Sequence, residues 1–427
     1  MSMGYSIEHH GSSMLKTSAK PQLQKLAIFG NAPVFAEKVH VGRPNTGNRE
    51  RLLARFKDML DRSWFTNNGP YVQEFEAKVA EFAGVRQCVA MCNATVALEI
   101  AIRALGLTGE VIVPSFTFVA TAHALQWQEI TPVFCDIDPR THTIDPVQVE
   151  KMITPRTTGI IGVHTWGRAC DIAALEAIAR RRSLQLLFDA AHAFACTHKG
   201  KPIGGFGRCE VFSFHATKFF NTFEGGAVLT NDDDLAEKMR LMRNFGFSGY
   251  DNVIYIGTNG KMTEVCAAMG LTSLESVDEF MKTNRRNHEA YRRSLDGIPG
   301  IELMQYNESE QANYQYIVVE VDEGETGLTR DALVAVLSAE NVLARRYFFP
   351  GCHRMEPYRS YSPHKALVLP ATEELCKRVM VLPNGTSVDE RAAEKICGII
   401  RTAVSNSAAV KAKLADGVDP RAVNAHS

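Results

Sequence analysis

The sequence predicts a two-domain α/β protein, with a mostly parallel seven-stranded sheet covered by helices on both faces and a smaller α+β domain after it. Three observations lead there. Short apolar runs alternate with helical spacings between residues 87 and 242. Several of those runs are too apolar to leave one face in water, as in a sheet buried on both sides. At 427 residues the chain can fill two cores, and the strand signal weakens after Thr230.

Composition narrows the function classes. Hydrophobic residues make up 45% and charged residues 22%, the balance of an ordinary folded protein. The net charge is -1, from 47 basic and 48 acidic side chains, which offers no general attraction to nucleic acid or acidic lipid. No run of 18 apolar residues crosses a membrane, and the N-terminus lacks the apolar core of a signal peptide, so a cytoplasmic location is expected. The ten cysteines are scattered without a CxxC pair, which suits reduced thiols and argues against a structural zinc site.

Taken in order, residues 1–25 mix Ser, His, Lys and Gln without a period and form an N-terminal tail. The large domain is expected over 26–260, the small domain over 261–405 and a flexible tail over 406–427. Helical spacing runs through Leu52, Leu53, Phe56, Met59 and Leu60, then again over 71–82 with Phe75 and Val79 on one face. Between them, Asn67, Asn68, Gly69 and Pro70 mark a turn. Strands are expected at 87–92, 110–113, 131–136, 158–164, 184–189, 209–214 and 227–230. Helices are expected at 94–104, 118–126, 146–152, 172–181 and 234–242, with a glycine-containing loop over 246–260. The small domain should hold helices at 274–295, 329–339, 373–379 and 388–403 around a strand at 314–321.

The chemistry gathers at strand ends. Lys218 lies between two strands and ahead of the pair Gly225 and Gly226, a placement that suits a covalent anchor for a carbonyl cofactor or a plain surface lysine. Asp189 ends an apolar strand, with His192 close behind, facing the crevice where open α/β sheets bind ligands. A buried carboxylate there needs a cationic partner, and a protonated pyridine nitrogen is one. Asn93, Ala94 and Thr95 open a helix and form either a phosphate cradle or an ordinary N-cap. Ser213 is either a strand-end cap or a further hydroxyl for an anion, and Phe118 either caps the core or stacks on a flat ligand.

These motifs together resemble the DegT/DnrJ/EryC1/StrS family of sugar aminotransferases. The likeness rests on Ser213-Phe214-His215 with Lys218, Glu224-Gly225-Gly226, and Asp189-Ala190-Ala191-His192-Ala193. It extends to T-N-N-G-P at 66–70, C-N-A-T-V-A-L at 92–98, P-S-F-T-F-V-A-T at 114–121, G-T-N-G-K-M-T-E at 257–264 and Leu382-Pro383. The resemblance implies the aspartate-aminotransferase fold (fold type I) and pyridoxal 5'-phosphate as cofactor, with pyridoxamine 5'-phosphate as its second form. By that resemblance Lys218 is the Schiff-base lysine and proton carrier, Asp189 partners the pyridine nitrogen, and His192 approaches the ring oxygen. Phe118 stacks on the ring, while Ala94, Thr95 and Ser213 contact the phosphate. Asn259 matches an asparagine that reaches the neighbouring subunit's phosphate, which implies a homodimer with shared sites. Lys261 departs from an arginine common in the family.

The implied reaction moves an amino group from L-glutamate to a nucleotide-linked 3- or 4-keto-6-deoxy sugar. Some members replace the lysine with histidine and dehydrate instead; Lys218 places this chain with the transaminating branch. Tyr71, Trp166, Tyr347, Phe348 and Arg345 or Arg346 are candidate substrate contacts. Two other readings are a keto-cyclitol or free keto sugar as acceptor, and a cofactor-binding regulator without turnover.

Overall fold

The computed structural model describes residues 25–360 and 366–415; most of the two expected tails, 1–24 and 416–427, lies outside them. The large sheet is built from β1 (Gln87–Met91), β2 (Glu110–Pro114), β3 (Thr131–Cys135), β4 (Thr157–Val163), β5 (Gln185–Asp189), β6 (Glu210–Ser213) and β7 (Gly226–Thr230). Their order across the sheet is β1-β7-β6-β5-β4-β2-β3, and only β7 runs antiparallel to its neighbours. Seven strands and helices on both faces match the expected fold type.

Alternation along the strands explains why both faces are dry. Val89 and Met91 enter one apolar cluster while Cys88 and Ala90 enter another. Val111 and Val113 likewise face away from Ile112, and Val211 away from Phe212. Burying both faces of a sheet sets its helices on two sides and leaves only the strand ends open to solvent. The carboxyl ends of β1, β5 and β6 therefore carry Met91, Asp189 and Ser213 to one edge.

Helices follow their local signals. Helix α1 (Arg49–Arg62) starts at Asn48, whose side chain caps Arg51 N. Helix α2 (Pro70–Ala83) begins with proline and stops at Gly84 in the left-handed region. Helix α3 (Ala94–Ala104) starts at Asn93, whose Oδ1 accepts from Val96 N at 2.8 Å.

The small domain holds an antiparallel sheet of β8 (Ile301–Leu303), β9 (Ile317–Val321) and β10 (Val379–Leu382). The sequence pattern predicts a helix over 373–379, whereas the helix is Pro370–Arg378 and Val379 opens β10. The helix Val277–Leu295 contributes to both cores. Val277 and Phe280 pack in the large domain, while Ala290, Tyr291 and Leu295 pack in the small one. Leu26 packs in the small-domain cluster, and the N–H groups of Ala27 and Val34 both donate to the Glu340 carboxylate at 2.7 Å. The first stretch of the expected C-terminal tail is a helix, Ser407–Ala415, with Val410 buried.

The cysteines are all free and most are buried. Among the described residues no helix is long and apolar enough to cross a membrane.

Candidate active site

A cavity of about 620 Å³ opens at the carboxyl ends of the parallel strands and reaches the small domain. Asp189, His192, Ser213, Lys218, Ala94, Thr95 and Phe118 all line it. Seven positions separated by up to 124 residues in the chain thus meet in one space, which local patterning by itself does not require.

Lys218 sits in the connection from β6 to β7, and the residues that follow it are packed into the core. Phe219 and Phe220 are buried, and Phe220 stacks on Phe194 at 4.2 Å. Asn45 Nδ2 donates to Phe219 O, and Asn221 Nδ2 donates back to Asn45 O, each at 2.9 Å. Burial pulls the Lys218 amine down to about 8, with the Asp189 charge opposing it. The amine donates to Tyr316 Oη at 3.3 Å.

Asp189 is buried, and its two oxygens are held from the protein side. Thr121 Oγ1 donates to Oδ2 at 2.8 Å and Ala191 N donates to Oδ1 at 3.1 Å. Burial nevertheless raises its pKa, against the pull of those bonds and of Lys218. A carboxylate in this position gains from a cationic partner in the cavity.

His192 is pushed well below the usual imidazole range, first by burial and then by the Lys218 charge, so its ring is neutral. Trp166 N donates to its Nδ1 at 3.2 Å. The remaining proton of the neutral ring therefore sits on Nε2.

The start of α3 has the form of an anion site. Asn93 takes the Val96 N–H and the Asn93 carbonyl takes the Ala97 N–H, while Ala94 and Thr95 have no intrahelical acceptor. Gly226 of β7 passes directly beneath: a Cβ there would lie 2.6 Å from Ala94 N. Absence of a side chain lets the strand approach the helix start, which gives the glycine pair its physical reason. Ser213 is paired with Gly226 across the sheet, bringing its hydroxyl to the same edge.

The other expected residues divide between the cavity and positions away from it. Asn259 is exposed and does not line the cavity of its own chain. Tyr347, Phe348 and Arg345 line the cavity. Tyr71 does not: its hydroxyl donates to Asp58 at 2.7 Å. Arg346 pairs with Asp331 at 3.2 Å, and Trp166 is fully buried behind His192 with its rings stacked at 5.8 Å. Sequence reasoning missed Tyr316, Thr121 and Arg43, the last of which lines the cavity from the N-terminal segment. Thr121 ends the segment 114–121, but nothing local in the sequence links it to Asp189.

The sequence profile of the DegT/DnrJ/EryC1/StrS aminotransferase family matches residues 47–401. A dTDP-4-amino-4,6-dideoxy-D-glucose transaminase from Shigella dysenteriae is 38% identical, over 85% of this chain and 98% of its own length. A GDP-perosamine synthase from Caulobacter vibrioides is 36% identical, over 75% of this chain and 87% of its own. The crystal structure of DesI with its TDP-sugar product superposes with a TM-score of 0.89 at 48% identity, covering 92% of this chain and 100% of that one.

Proposed function

The chain belongs to the DegT/DnrJ/EryC1/StrS aminotransferase family and is a pyridoxal-phosphate-dependent aminotransferase, and from that premise we propose that it aminates a nucleotide-linked 4-keto-6-deoxy sugar with L-glutamate as donor. One observation carries the reading: a partly buried lysine and a buried carboxylate face one cavity beside a helix start with free N–H groups.

The donor set fits the cofactor. Ala94 N–H, Thr95 N–H and the Ser213 hydroxyl would hold the phosphate, with the close approach of Gly226 fixing the helix start. Asp189 would keep the pyridine nitrogen protonated, and Phe118 would cover a ring face. When bound, pyridoxal phosphate supplies an electron-withdrawing ring that stabilises negative charge on the carbon next to the transferred nitrogen.

The protein's own groups then act as follows. With its pKa near 8, the Lys218 amine is partly neutral at neutral pH, so it can take a proton from the substrate carbon and return it to a neighbouring one. His192 offers Nε2–H as a neutral donor that polarises an oxygen without surrendering its proton. Thr121 and Ala191 hold the Asp189 carboxylate still while charge builds nearby. Arg43 and Arg345 add guanidinium groups at the cavity wall, suited to the carboxylates of a glutamate donor or the diphosphate of the acceptor.

The acceptor class follows from the relatives, whose names specify dTDP-, GDP- and TDP-linked sugars. The 4-amino sugar in the name of the Shigella dysenteriae relative supports C4 as the position aminated. We also infer a homodimer in which Asn259 completes the partner's site. Its support is the exposed position of Asn259 next to a loop displaying Phe245, Tyr250 and Ile256 to solvent.

The test is product analysis. Enzyme, L-glutamate and dTDP-4-keto-6-deoxyglucose should give 2-oxoglutarate and a nucleotide sugar with nitrogen on C4, read by mass and NMR. Nitrogen on another carbon, or turnover with free keto sugars only, would overturn the substrate assignment.

A further inference from the structure

Behind His192 runs a chain of hydrogen bonds that the proposed mechanism does not use. Trp166 Nε1 donates to His142 Nδ1 at 3.1 Å, and His142 Nε2 lies 3.1 Å from Glu320 Oε1. Trp166 and His142 are buried, and Glu320 is on β9 of the small domain, where it also pairs with Arg378 at 3.3 Å.

Donor and acceptor rules leave this chain one consistent proton arrangement. An indole N–H only donates, so His142 Nδ1 must be bare. The His142 proton then sits on Nε2 and points to a carboxylate that only accepts. The backbone at Trp166 is in the left-handed region with φ 63°, uncommon for a bulky residue, and something must hold it there. Its indole is fixed by His142 and by Phe116, Phe348 and Tyr316, with ring centroids 5.3 to 5.9 Å away. In that conformation the Trp166 backbone N–H reaches His192 Nδ1 at 3.2 Å.

We propose that His142 and Glu320 are positioning residues for His192: through the Trp166 indole they hold the Trp166 N–H on Nδ1 and keep the His192 proton on Nε2. The small domain thereby sets the tautomer of a ring in the large-domain cavity. A flipped His142 would put its proton against the indole N–H, release Trp166 and let His192 protonate on either nitrogen. The effect on turnover rests on His192 contacting the cofactor as proposed above; the tautomer itself does not, so the two can fail separately.

The experiment is a long-range ¹H–¹⁵N correlation spectrum of ¹⁵N-histidine-labelled full-length protein without cofactor, with His192→Gln assigning the signal. Wild type should show the Nε2–H pattern for His192. His142→Asn, whose side-chain oxygen reaches where Nδ1 was, should keep it. His142→Phe should give a mixture of both tautomers and, in loaded enzyme, about a tenfold to hundredfold fall in kcat with little change in KM for the sugar. If His142→Phe does not fold, Glu320→Leu at the partly exposed end should give the same mixture. A His192 pattern unchanged in a folded His142→Phe or Glu320→Leu protein overturns the proposal. Equal disruption by Asn and Phe would overturn it too, because packing rather than hydrogen bonding would then be responsible.

Discussion

The Lys218 amine donates to the Tyr316 hydroxyl at 3.3 Å, and among the described residues no ion pair joins it to Asp189 in the same cavity. Burial disfavours the charged form of both groups, lowering the lysine and raising the aspartate. Neither is neutralised directly by the other, so the space they share suits a group that binds the amine covalently and presents a cation to the carboxylate.

Capture of the aldehyde by cofactor-free protein should follow the neutral amine. The Lys218 pKa of about 8 is below the ordinary 10.5, so the neutral fraction grows as pH rises toward 8 and levels off above it. The capture rate, read by stopped-flow absorbance, should climb about tenfold per pH unit below 8 and then flatten. A rate still climbing steeply through pH 9.5 would mean an exposed lysine is responsible.

Thr121→Val removes one donor from the Asp189 carboxylate. That bond stabilises the charged form, so its loss moves the Asp189 pKa further upward. A hydrogen bond to a charged group is worth about 1.5–3 kcal/mol, which corresponds to about one to two pH units. The acid limb of the kcat profile should shift upward by that amount, with activity above the limb reduced less. An unshifted limb would detach Thr121 from the titration of the site.

Gly226→Ala puts a Cβ 2.6 Å from Ala94 N and must push β7 or the start of α3 aside. Overpacking of this kind costs about 1–3 kcal/mol. Cofactor affinity should fall at least about tenfold, while the thermal midpoint of cofactor-free protein drops modestly. Measuring Kd by fluorescence and the midpoint by circular dichroism separates the two effects. Unchanged affinity would show that the helix start does not hold the phosphate.

Much of this site was legible in the sequence because strand ends are local features. Asp189 and Ser213 close apolar runs, and Lys218 precedes a glycine pair, so each could be placed on one edge of a sheet. Tyr316, Arg43 and the Thr121–Asp189 bond were not legible, since they depend on segments brought together only by packing. Helical spacing runs on into Val379 because the strand Val379–Leu382 follows a helix without a break, and only pairing with Ile317–Val321 makes it extended. The attachment of residues near Leu26 to the small domain hangs on the Glu340 carboxylate, more than 300 residues away, which leaves no periodic trace.

Subunit mixing tests the shared site. In a hybrid of Lys218→Ala and Asn259→Ala chains, one cavity has its own Lys218 together with Asn259 from the other chain. An inactive preparation and a weakly active one should therefore recover activity on exchange, approaching about half the wild-type value per hybrid. No recovery despite demonstrated exchange would leave Asn259 without a role across the interface.

The most direct measurement is chemical. Purified protein loaded with pyridoxal phosphate should be reduced with borohydride, digested and mapped by mass spectrometry, with Lys218→Ala treated in parallel. A single phosphopyridoxyl group on Lys218, absent from the variant, is the predicted result. Modification spread over other lysines, or a wild-type Lys218 peptide without the added mass, would contradict the account.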